Sequence, residues 1–156
     1  MPNDSRMYPI GAGYPRSRVS GSTFVDFGVT KTQRTRLTVA QVTAGFTLLP
    51  ALPGVKWRLV DASVIAVGGT TAAGTSVDIS GTRAAAAVIL LSALIAGLTR
   101  SRVLRMGETT NGVVLADGAS HTALDSNTAV TVKAVGSTFT GVTHWDVLLT
   151  YVADQA

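Results

Sequence analysis

The chain contains no cysteine, which excludes disulfides, thiolate metal sites and thiol nucleophiles. Glutamate occurs once, at Glu108, and histidine twice, at His121 and His144, so general acid–base chemistry has few groups to draw on. Charged residues make up only 14% of the chain, and a surface that poor in charge suits contact with other proteins better than free diffusion as a monomer. Long apolar runs are also missing. The longest, Ala84–Leu98, would span about 22 Å as a helix, short of the roughly 30 Å hydrocarbon core of a bilayer. The opening MPNDSRMYPIGAGYPRSRVSGS has no apolar core of the kind a secretory signal needs, so neither export nor a membrane partner is expected.

What the chain does have is 46% hydrophobic residues and a length of 156, enough for one domain with a core and an appendage. Threonine, valine and glycine are abundant and glutamate and lysine are few, a balance that favours strands over helices. Charge is distributed unevenly. The first forty residues hold six basic side chains against two acidic ones, while the rest hold seven of each, so the net charge of +4 belongs to the leading segment.

That segment, residues 1–35, reads as an extended basic N-terminal arm, with 36–156 as a β-sandwich body. Pro2, Pro9 and Pro15, with Gly11, Gly13 and Gly21, oppose helix and ladder alike. Arg6, Tyr8, Tyr14, Arg16, Arg18, Lys31, Arg34 and Arg36 are the candidate partner-binding residues: cations for an acidic surface, tyrosines for apolar hollows. A pI near 10.0 invites a nucleic-acid reading. The cations are spread out, however, and arginine outnumbers lysine ten to three, which suits forked pairing with carboxylates at a protein interface. A protein partner is therefore favoured over nucleic acid.

Along the body, short strands are expected at Thr23–Thr30, Arg36–Leu49, Val55–Val67, Ser76–Ser80, Ser101–Met106, Gly112–Ala116, Thr128–Val135 and His144–Ala153. Val55–Val67 is apolar at both parities, as an internal strand covered on each side would be. The last two strands are separated by Gly136–Thr143, whose glycines would allow a hairpin. Ala84–Leu98 (AAAAVILLSALIAGL) reads as one short buried helix, with Ser80 or Thr82 before it and Gly97 at its end. Turn-separated strands of this kind describe an all-β sandwich or barrel.

Four patterns imitate chemistry. Gly69–Ser76 follows a strand like a phosphate loop, but Thr75 stands where the lysine should be and a strand follows in place of a helix. Asp117, His121 and Asp125 are spaced by four, as metal ligands on a helix would be, yet DGASHTALDSNTA is turn-forming and reads as a solvated loop. His144 and Asp146 share one side of a strand that is otherwise packed. Serines are plentiful, but no G-x-S-x-G is present. No catalytic residue, metal ligand, cofactor or small-molecule substrate is expected. Trp57, Trp145 and Tyr151 read as core or interface anchors, since no aromatic stripe for stacking bases accompanies them.

The text from Trp57 (WRLVDASVIAVGGTTAAGTSVDISGT), the alanine-rich stretch at 84–98, and the text from Leu115 (LADGASHTALDSNTAVTVKAVGS, then DVLLTYVAD) resemble virion proteins of tailed bacteriophages. The resemblance covers roughly residues 50–156 and is closest to capsid decoration, or cement, proteins with a jelly-roll-like body. It implies a homo-oligomer, dimer or trimer, made in the host cytoplasm and seated on the capsid exterior, where it binds the major capsid protein and stabilises contacts between its copies. A helix at 84–98 would depart from a bare jelly roll. A phage tail-fibre or receptor-binding module shares the β-rich composition but more often shows shaft-like repeats or exposed aromatics. A basic-arm nucleic-acid-binding protein is the further alternative.

Overall fold

The computed structural model describes residues 16–19, 23–107, 112–113 and 122–156. Arg6, Tyr8 and Tyr14, and the loop residues Asp117 and His121, lie outside them. The described residues form an all-β sandwich with one short helix.

Strands β1 (Arg16–Val19) and β2 (Thr23–Asp26) pair with each other as an antiparallel ribbon. They lead into β3 (Thr30–Thr38), then helix α1 (Val39–Ala44), β4 (Phe46–Leu49) and β5 (Val55–Val67). The hairpin β6 (Ser76–Arg83) and β7 (Ala86–Leu94) follows, then β8 (Val103–Arg105), β9 (Gly112–Val113), β10 (Val130–Val135) and β11 (His144–Gln155). One sheet has the order β3-β11-β5-β8 and the other β4-β10-β6-β7-β9. β3 therefore crosses the expected arm–body boundary at residue 35 and is paired along its length with β11.

With the two-residue β9 set aside, the eight remaining strands of the two sheets pair as nested brackets. The first pairs with the last (β3-β11), the second with the seventh (β4-β10), the third with the sixth (β5-β8), and the fourth with the fifth (β6-β7). All four pairings are antiparallel. The core lies between the sheets. Leu37, Val64, Val77, Ile79, Leu91, Val132 and Trp145 are among its fully buried members. Trp57 is buried, with Tyr151 packed edge-on at 5.6 Å, and Trp145 meets Phe139 edge-on at 5.1 Å.

Val55–Val67 is a central strand with the expected bounds, flanked by β11 and β8. Its two apolar parities have a physical cause. The ladder with β11 shifts between Thr150 and Tyr151, leaving Val60 as an extra residue that points to solvent. This bulge lets Trp57 and Leu59 face the same core as Ala62, Val64 and Ala66.

The expected helix over Ala84–Leu98 is corrected. Ala84 and Ala85, with φ of 51° and 59°, form a two-residue turn, and Ala86–Leu94 is β7. Asp125 holds this turn by accepting from the backbone N–H groups of Ala84 at 3.0 Å and Ala85 at 2.8 Å. A second bulge leaves Leu90 as the extra residue opposite Ile79/Ser80, so Leu90 and Leu91 are both buried. The bulge removes the period of two, and what remains is an alanine-led apolar run indistinguishable from a helix. The helix the structure does contain interrupts the strand expected over Arg36–Leu49. Thr38 and Gln41 cap it reciprocally, Val42 is its buried residue, and Gly45 ends it.

A second correction concerns β10 and β11. They belong to different sheets, so Gly136–Thr143 crosses the sandwich instead of closing a hairpin. This loop packs against the glycine-rich Gly68–Gly74 loop that imitates a phosphate cradle. A Cβ on Gly69 would sit 1.8 Å from the carbonyl oxygen of Gly141, so the glycine there serves close approach of two backbones.

Candidate docking surface

The outer face of the four-stranded sheet carries the described arginine–aspartate pairs. Leu37 turns into the core, so the opposite parity of β3 presents Thr30, Thr32, Arg34, Arg36 and Thr38 outward, all exposed. Register with β11 sets His144, Asp146, Leu148, Thr150 and Val152 beside them, and β5 continues the rows with Ile65, Ser63 and Asp61.

Asp146 is the centre of this face. Arg36 donates to it through a fork, Nε to Oδ1 at 2.8 Å and Nη2 to Oδ2 at 3.0 Å, and Arg34 donates to Oδ2 through Nη2. The Asp146 side chain is only 5% exposed, whereas those of Arg34 and Arg36 are 60% and 53% exposed. One carboxylate is thus covered by two guanidiniums whose far sides remain in solvent. The hydrogen bonds from Arg36, opposed by burial and reinforced by Arg34, hold the Asp146 carboxyl down at about 2. The same bonds raise Arg36 further above its ordinary value.

Two more pairs frame the face. Arg58 donates to Asp154 through Nε at 2.8 Å and Nη2 at 3.1 Å, and Arg105 reaches Asp61 at 2.6 Å. Beside the Arg105–Asp61 pair lies a shallow hollow of about 240 Å³, with an apolar floor of Ile65, Val103 and Leu148 and with Ser63, Thr32 and Thr150 completing its lining. The two threonine hydroxyls share a hydrogen bond at 3.1 Å. Arg34 and Arg36 against the one carboxylate of Asp146 leave that cluster one positive charge in excess.

The outer face of the five-stranded sheet carries hydroxyls around Asp78, with Ile89 and Val135 exposed beside them. Asp78 Oδ1 accepts from Ser76 at 2.7 Å and Ser92 at 2.6 Å, and the hydroxyls of Ser80 and Thr131 meet at 3.2 Å. Lys133 and Asp78 stand opposite each other in the β10–β6 register.

Of the eight residues the sequence singles out, the structure brings Arg34 and Arg36 together on Asp146. Lys31 lies on the other parity of β3 and pairs with Asp26 of β2 at 3.1 Å. Arg16 and Arg18 lie on β1, opposite Asp26 and Phe24 in the ribbon register. Arg6, Tyr8 and Tyr14 fall outside the described residues. Asp61, Arg58, Arg105, Asp146, Asp154 and the apolar floor are the members of this face that sequence reasoning does not select. The parity shared by His144 and Asp146 is the one local signal, since it places a carboxylate on the polar side of a packed strand. Of the carboxylates suggested as metal ligands, Asp125 is engaged with the β6–β7 turn. Among the described residues no cluster of three or more metal-ligating side chains occurs, and no helix is long and apolar enough to cross a membrane. No protein-family model, curated protein or solved structure matches this chain.

Proposed function

We propose that this chain is a capsid decoration (cement) protein of a tailed bacteriophage, which binds the outside of the head and stabilises contacts between major capsid proteins. The virion assignment rests on the resemblance carried by Trp57–Asp78 and Leu115–Asp154. The docking mode rests on one observation: an apolar hollow bordered by the formed Arg105–Asp61 pair shares its face with two exposed arginines, Arg34 and Arg36, fixed on the single carboxylate of Asp146. Side chains fixed before binding lose little freedom on docking, and such an arrangement selects an acidic partner surface. The nested strand pairing supports a jelly-roll-like body.

In this reading the protein acts as a homo-oligomer, dimer or trimer. Several equivalent docking faces on one particle multiply modest contacts into tight attachment. The arm residues before β3, Arg6, Tyr8, Tyr14, Arg16 and Arg18, add contact area beside the face, with Lys31, Arg34 and Arg36 continuing it on the sheet. The protein is made in the host cytoplasm and resides on the capsid exterior, with no catalytic step, cofactor or small-molecule substrate.

Co-sedimentation with phage heads stripped of decoration tests this. The expected result is saturable binding at a fixed number of copies per head, with the heads then releasing DNA at a higher temperature. Absence of head binding overturns the reading. Attachment to host cells instead would move the protein to the tail-fibre and receptor-binding class. Retention on DNA that collapses steeply with salt would identify a nucleic-acid binder.

A further inference from the structure

β3 is the outermost strand of the four-stranded sheet. It pairs with β11 from Thr30–Val152 to Thr38–His144, and among the described residues no strand lies on its other side. An outermost strand presents alternate N–H and C=O groups that an added strand can satisfy. Sheets ordinarily blunt such an edge by keeping it short, bulging it or placing proline in it. β3 does none of these and relies only on charge, the remaining device: it is nine residues long, its ladder with β11 has no register shift, and TKTQRTRLT contains no proline.

Its charge decides what can pair with it. The strand holds Lys31, Arg34 and Arg36 and no acidic residue. A second copy of β3 would bring cation beside cation, and like charges across a ladder are unfavourable. Freely moving edge cations would simply repel strands, but Arg34 and Arg36 are anchored by Asp146 and hold their remaining surface toward solvent at a fixed spacing. Residues two apart on one side of a strand are about 7 Å apart. Carboxylates at alternate positions of an added strand would match that interval.

We propose that the open edge of β3 accepts an extended acidic segment of a partner protein as an added strand, its alternate carboxylates paired with Arg34 and Arg36. Backbone hydrogen bonds supply the adhesion and the arginine pair supplies the sequence preference. The proposal rests on the reading that this chain docks on another protein, and it specifies what that protein contributes.

The probe is a short strand-forming peptide alternating valine with glutamate, compared with the same peptide carrying lysine. Amide shifts and hydrogen exchange are followed by NMR across the full chain. The glutamate peptide should perturb and protect β3 amides, with roughly tenfold weaker binding at high salt, and the lysine peptide should not bind. The variant Thr30→Glu changes an exposed position of β3 outside the hollow without touching Asp146. It should keep the parent melting temperature, lose roughly tenfold in affinity for the glutamate peptide and gain affinity for the lysine one. No binding, equal binding of both peptides, or protection centred on another edge overturns the proposal. Peptide docking on β3 without head binding would sink the cement reading alone. Head binding that leaves β3 amides unprotected would sink the edge proposal alone.

Discussion

The two outer faces of the sandwich have the same backbone geometry and different chemistry. On the four-stranded sheet, arginine–aspartate pairs share the face with an apolar hollow that one of them borders. On the five-stranded sheet, serines and threonines satisfy one another and the single carboxylate of Asp78. A hydroxyl network is content with solvent on its far side. Guanidiniums that cover one buried carboxylate and keep exposed flanks still have donors to offer, and apolar side chains on the same face gain from being covered. The difference teaches that the near-neutral composition of the body conceals a polarised molecule, with its described arginine–aspartate pairs on the sheet that β3 borders.

Removing the cations of one face should cost most. Arg34→Ala with Arg36→Ala strips Asp146 of both its partners and its cover, and a loss of about 2 kcal/mol in urea unfolding at neutral pH is expected. A loss no larger than that of an ordinary surface substitution would erase the distinction between the faces. Acid should act on the same carboxylate. The folded Asp146 sits at about 2, below the 3.8 of a free carboxyl, so its contribution is complete above roughly pH 4 and disappears as the pH falls toward 2. It amounts to about 2 kcal/mol, and the double arginine variant should lack this acid-sensitive part of the unfolding curve.

The five-stranded face should respond more weakly. Ser92→Ala removes one hydrogen bond to Asp78 and leaves the bond from Ser76, for an expected cost of about 1 kcal/mol by chemical denaturation. Smallest for stability, and sharpest for function, is Thr150→Ala at the rim of the hollow. Stability should move by less than about 1 kcal/mol, with the lost Thr32 contact, while head binding falls measurably. Equal binding losses from Thr150→Ala and Ser92→Ala would show that the partner does not distinguish the faces.

Much of the fold is legible in the sequence because punctuation is strong. Pro50, Pro53 and Gly54 before Val55, and Gly68 after Val67, bound β5 to the residue. Two inserted residues with opposite fates disturb the strand pattern, and only one of them misleads. Val60 is expelled to solvent at 42% exposure and Leu90 is fully buried, and each breaks the alternation that would identify its strand. In β5 the branched side chains still announce a strand. In β7 the alanines favour a helix locally, and the ladder with β6 overrides that preference. The candidate site is legible in half. Charge and spacing single out Arg34 and Arg36, but their anchor lies 110 residues away, and no local pattern links it to them. Arg58, Asp61, Arg105 and Asp154 are ordinary surface charges until the register aligns them.

The nested pairing of the strands sets an order of events in time. The β6–β7 hairpin has both of its strands within a few residues of each other, while β3 must wait for β11 before its ladder can form. Each enclosing pair closes a longer loop than the one inside it, and the outermost joins residues more than a hundred positions apart. Such a chain folds slowly, on the millisecond-to-second scale of β-sandwiches. The Arg34–Arg36–Asp146 cluster belongs to the ladder that closes the longest loop, so it is expected to form late, and a partner that recognises it would select against half-folded copies.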